Sequence, residues 1–162
     1  MKKITMAVMI AILAAVPALA DSSPAQKTFD QIKALAGTWE GKNTQGQPVK
    51  VLFRVTANGS AVMSEITGDE DMITMFNMDG DRLLMTHYCT AGNQPRMVAT
   101  SSLDGKSVSF EFMDATNLES AHAGHMHHVV FTMPDADHHQ EEWMFRQGDK
   151  TMSENFDLHR VK

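Results

Sequence analysis

Two short patterns carry the side chains best suited to chemistry: His125-Met126-His127-His128 and His87-Tyr88-Cys89. Residues two apart on a β-strand point the same way, so each pattern offers a pair of ligating groups to one face. His125 and His127 would share that face with Val129, Phe131 and Met133, the apolar and therefore buried side. His-x-His is a metal-ligand spacing, because both rings can reach one ion. Joined by His87 and Cys89 it would offer up to four N/S ligands, a set that suits Zn²⁺ or a copper ion. The competing role for the same imidazoles is structural, with each ring hydrogen-bonding its neighbour, water or a backbone carbonyl.

Other residues suggest ligand contact rather than catalysis. Asn93 and Arg96 follow the His-x-Cys pattern and bring donors suited to a carboxylate or phosphate head group; a loop held by its own hydrogen bonds is the alternative. Glu141 shares a strand face with Trp143 and Phe145, so it should point inward, while Glu142 should be solvated. An inward Glu could pair with Arg, bind a ligand's polar end or serve as a base with a raised pKa. Cys89 beside His87 is a possible nucleophile, although strand spacing alone does not give a hydrogen-bonded pair. Met72, Met75 and Met78 have M-x-x-M spacing, but on a strand Met75 faces away from the other two. They read as adaptable core or cavity lining rather than a copper site. His138 and His139, near His159, read as a surface turn. The sequence has no G-x-S-x-G, H-E-x-x-H, C-x-x-C or phosphate-cradling glycine loop.

The N-terminus reads as an export signal. Lys2 and Lys3 precede an apolar run from Ile4 to Val16, and Ala18-Leu19-Ala20 closes it in an A-x-A pattern, which predicts cleavage before Asp21. No cysteine stands at the following position, and no later apolar stretch is long enough to span a bilayer as a helix. A periplasmic or secreted single domain over residues 21–162 is the expectation. The chain carries a net charge of −6, and −8 without Lys2 and Lys3, which argues against nucleic acid and anionic membranes as partners. Cys89 is the sole cysteine, so no intramolecular disulfide can form.

The elements that would position these residues are mostly strands. Ser22-Ser23-Pro24 opens a short helix with Phe29, Ile32 and Leu35 at helical spacing, and Gly37 ends it. Ten strands are predicted at Thr38–Lys42, Pro48–Thr56, Ser60–Thr67, Asp71–Met78, Arg82–Thr90, Pro95–Ser102, Lys106–Met113, Gly124–Met133, His138–Gln147 and Thr151–Arg160. Asn58-Gly59, Asp79-Gly80-Asp81, Asp104-Gly105 and Gly148-Asp149 supply tight turns between them. Such a run of hairpins predicts an all-β fold, an antiparallel up-and-down barrel of roughly ten strands without exposed edges. A two-sheet sandwich is the alternative.

Gly37-Thr38-Trp39-Glu40-Gly41, directly after the helix, resembles the G-x-W motif on the first strand of the calycins: lipocalins, fatty-acid-binding proteins and nitrobindins. The resemblance implies a barrel with a small-molecule pocket, and a Trp packed at the closed end under a basic residue of the last strand, here Arg160. It also implies a haem variant of the metal reading, with one mouth histidine as axial ligand. In an up-and-down meander, the end of strand five and the start of strand eight lie at the same rim, opposite Trp39. His87, Cys89, His125 and His127 are thereby expected around one mouth. The leading expectation is a non-enzymatic binding barrel; a Zn, Cu or haem protein, even a metal-assisted enzyme, is the alternative.

Overall fold

The structure is a computed structural model that describes residues 22–68, 70–101 and 105–162. The expected signal peptide lies outside the described residues. Helix α1 (Pro24–Ala34) starts at Ser23, whose Oγ accepts the backbone N–H of Gln26 at 3.1 Å, and Pro24 occupies its first turn. Ten strands follow: β1 (Gly37–Asn43), β2 (Pro48–Thr56), β3 (Ala61–Thr67), β4 (Met72–Asp79), β5 (Arg82–Tyr88), β6 (Gln94–Ser101), β7 (Ser107–Thr116), β8 (His125–Thr132), β9 (His138–Gln147) and β10 (Lys150–Arg160). Each pairs antiparallel with its neighbour, and β1 pairs with β10 to close the barrel.

Most strand bounds fall within a residue or two of the sequence expectation. Two differ for local reasons. Strand β5 stops at Tyr88 because Cys89 enters a turn, its N–H bonding Asn93 O at 3.2 Å and its carbonyl accepting Gly92 N–H at 2.9 Å. Strand β7 runs on to Thr116, with a register shift opposite Arg96 and Met97, so that Asp114 stands across from Arg96.

Alternation fills the interior. Val51, Phe53, Phe76, Met85, Met97, Phe110, Val129, Phe131 and Leu158 are all buried within the barrel core. Phe131 packs edge-on against Phe53, Phe76, Phe110 and Trp143, which links opposite walls.

One end of the barrel is closed. The indole of Trp39 is fully buried and donates to Leu35 O at 2.7 Å. Arg160 lies over the indole with its guanidinium carbon 4.2 Å from the ring centroid, and donates to the carbonyls of Ala34, Ala36 and Ala136. Gly37 has φ +134°, and a Cβ there would come within 2.9 Å of an Arg160 nitrogen. The positive φ favours glycine at this position of the G-x-W pattern, and a Cβ there would displace the Arg160 guanidinium. Phe29 and Ile32 of α1, with Leu35 just beyond it, join the same core.

Candidate functional site

The opposite end of the barrel is open. A hollow of about 700 Å³ is lined by Val49, Ile66, Met72, Cys89, Met126, Trp143, Phe145, Met152 and Phe156, with Asn43, Gln45, Gln47, Glu70, Thr90 and Glu154 among its polar groups. Neither Lys nor Arg lines it. Thr90 donates to Glu70 at 2.8 Å, and Glu154 accepts the Thr44 N–H at 3.1 Å, so each carboxylate keeps one oxygen on a rim neighbour. Burial pushes the Cys89 thiol above its ordinary pKa, with the Glu70 charge adding to the effect. The thiol therefore stays protonated near neutrality, a poor nucleophile.

A hydrogen-bonded ladder on β9 leads from the closed end to this hollow. His139 sits against Trp39 with ring centroids 4.2 Å apart, and its Nε2 lies 3.0 Å from Glu141 Oε1. Trp143 Nε1 donates to Glu141 Oε2 at 2.8 Å. Glu141 is inward, as its strand face predicts, and both its oxygens are engaged. His139 Nδ1 has no partner, which fits the tautomer that carries its proton on Nε2 and donates to the carboxylate.

His87 is also inward and fully buried, with Nδ1 2.9 Å from the Thr74 hydroxyl and the ring 4.9 Å from that of Trp143. Its Nε2 has no partner, and burial lowers its pKa to about 4. Thr74 stands between Ser64 and His87 in the register of β3, β4 and β5, a short polar row on an otherwise apolar wall.

The His-x-His pair does not reach this hollow. Pairing between β8 and β9 shifts from Met126 to His128. Met126 consequently stands opposite Phe145 and lines the mouth, His125 stands opposite Arg146, and His127 is the extra residue of a bulge. Gly124 allows the Phe145 ring to press in, because a Cβ there would meet the ring at 2.5 Å. The two imidazoles line a separate hollow of about 570 Å³ with Phe112, Leu118 and Arg146. Within it the hydrogen bonds have a consistent direction. His125 Nδ1 donates to Ala123 O at 2.8 Å, so its Nε2 accepts from His127 Nδ1 at 3.2 Å, and His127 Nε2 faces Arg146 Nη1 at 3.5 Å. Burial, then the positive charge of Arg146, lowers the His127 pKa. In this arrangement each ring hydrogen-bonds its neighbour.

The expected four-ligand centre is therefore not assembled. No three of His87, Cys89, His125 and His127 bring ligating atoms within 4.8 Å of one another; among the described residues, the group that does so is His138, Asp157 and His159. Arg96 is occupied elsewhere, and Asn93 has its side-chain N–H engaged while its Oδ1 is buried without a partner. Asn93 is buried and donates to Gly124 O at 2.8 Å, tying the two mouth turns together. Arg96 is paired in both directions with Asp114, at 2.6 and 2.5 Å, and holds that carboxyl well below its usual pKa. Cys89 and Trp143 are the expected ligand-contact residues that line the mouth. Met126, Phe145, Phe156, Glu70 and Glu154 are further lining residues; the register shift that brings in Met126 has no signature in sequence spacing.

A scan against family models and a search of curated proteins each found no match. Among solved structures, the chain is similar to Rv2717c from M. tuberculosis, with a TM-score of 0.56 at 16% identity over 88% of this chain and 100% of that one. It is also similar to a protein of unknown function of the DUF3598 family from Nostoc punctiforme, with a TM-score of 0.56 at 12% identity over 81% of this chain. The match spans about half, 49%, of the Nostoc protein. Likeness at these identities establishes the fold.

Proposed function

We propose that this protein is an exported, non-enzymatic, calycin-like barrel that binds a small, partly apolar molecule in its mouth. The observation that carries this reading is the open hollow of about 700 Å³ walled by Trp143, Phe145, Phe156 and three methionines. Small-molecule sites commonly measure roughly 300–1,000 Å³, with apolar walls and a few polar groups. Methionine walls adapt to ligands of differing shape. Glu70, Glu154 and the neighbouring amides, with no cation among them, favour a neutral or positively charged polar end over an anionic one.

The calycin assignment is supported by Arg160 over Trp39, by the ten-strand closure and by the G-x-W glycine beside Arg160. Export is supported by the basic, apolar and A-x-A pattern of the first twenty residues. The non-enzymatic reading is supported by Glu141, whose oxygens are both held, and by the raised pKa of Cys89. Haem or a four-ligand Zn or Cu centre at the mouth draws no support from the separate placements of His87, Cys89, His125 and His127.

Trp39 is enclosed at the closed end while Trp143 walls the mouth, so Trp143 should report entry of a ligand. The test titrates untagged protein with an alkyl alcohol, an alkyltrimethylammonium and an alkyl carboxylate of equal chain length. Saturable fluorescence change is expected with the first two, weaker with the carboxylate and absent in Trp143→Phe. Calorimetry should show binding abolished by Met126→Arg. No saturation with any of the three, or binding indifferent to Met126→Arg, overturns the reading.

A further inference from the structure

We propose that the outer surface near the closed end holds a transition-metal site formed by His138, Asp157 and His159, independent of the mouth. His159 and Asp157 are two apart on β10 and so share a face. His138 is directly opposite His159 in the β9–β10 register, which places all three side chains together. The two imidazoles are stacked, with centroids 4.6 Å apart and planes 12° from parallel, and His138 Nε2 lies 2.5 Å from Asp157 Oδ1. One ligating atom from each residue lies within 4.8 Å of the other two.

Tetrahedral Zn²⁺ with nitrogen and oxygen ligands spaces its donors about 3.3 Å apart. Small rotations of partly exposed side chains would bring the three to that spacing without moving the backbone. Two imidazoles and one carboxylate suit Zn²⁺, Cu²⁺, Ni²⁺ or Fe²⁺, whereas Ca²⁺ and Mg²⁺ require mostly oxygen. Solvent would complete the coordination. Glu40, the β1 partner of His159, is exposed and lies 3.8 Å from Lys50.

The test uses Zn²⁺ alone, added to untagged protein by calorimetric titration at neutral pH, followed by Cu²⁺ and electron paramagnetic resonance. About one equivalent should bind, and the copper spectrum should show coupling to two nitrogens. Loss of an outer partner alone weakens a metal site roughly ten- to a hundredfold, so His138→Ala, His159→Ala and Asp157→Asn should each weaken binding at least that much. All three positions are at the surface, and thermal unfolding without metal should be unchanged. Zinc should raise the melting temperature of the parent protein and not of His138→Ala/His159→Ala. Absence of saturable binding, or binding retained in the double variant as a His125–His127 site would give, overturns the proposal. Neither result bears on the ligand titrations at the mouth.

Discussion

The two ends of the barrel are built from the same ten strands, yet they treat polar groups in opposite ways. At the closed end, Trp39 has its N–H on Leu35 O and its ring beneath Arg160, which itself bonds three carbonyls. At the mouth, Trp143 has its N–H on Glu141, while Phe145, Met72 and Met126 beside it border open space. The closed end is sealed because α1 brings free helix-terminal carbonyls to a cation on the last strand. No comparable element covers the mouth among the described residues. Carbonyls bonded to Arg160 and a capped indole stabilise one end, and apolar walls left uncovered at the other make it suited to a ligand.

Replacement of Trp39 should have the largest effect on this contrast. Trp39→Ala is expected to cost about 3–5 kcal/mol in denaturant unfolding, whereas Phe145→Ala at the mouth should cost about 1–2. Equal losses would remove the distinction between a packed end and an open one. Between the two ends, Glu141→Leu strands the buried donors of His139 and Trp143 and should cost roughly 3 kcal/mol. His139→Leu/Glu141→Leu should cost less than the two single changes combined, a coupling that a double-mutant cycle reads directly.

Acid should weaken the mouth-side wall through His87. Its pKa is lowered to about 4 in the fold from 6.5, so the unfolded chain binds more protons between those values. Its contribution is fully present above pH 6.5 and fades as the pH falls toward 4. The loss should reach about 2 kcal/mol by pH 5, and His87→Leu should flatten that part of the stability profile. The smallest difference separates the two arginines. Arg160→Ala should cost about 2 kcal/mol through lost carbonyl bonds and ring contact. Arg96→Ala, whose partner Asp114 is solvated, should cost clearly less than Arg160→Ala, because an exposed ion pair contributes little. A similar loss at both would mean that the rim is as tightly tied as the base.

The strands and their up-and-down order were legible in the sequence, because alternation, turn residues and hairpin connectivity are local; the closed end was legible only through the resemblance of Gly37-Thr38-Trp39 to the calycin motif. Strands β2 and β9 fall within their expected bounds, and Arg160 lies over Trp39 as the G-x-W pattern implies. The inward orientation of Glu141 follows from the same alternation. Where the histidines point depends instead on contacts between strands. One extra residue in β8 breaks the period of two, so Met126 reaches the mouth while His125 and His127 line a hollow of their own. The bulge depends on how β8 meets β9 around Gly124 and Phe145, a contact between residues about twenty apart that no run of neighbouring residues encodes. The Arg96–Asp114 pair and the stacking of His138 on His159 likewise depend on register between strands.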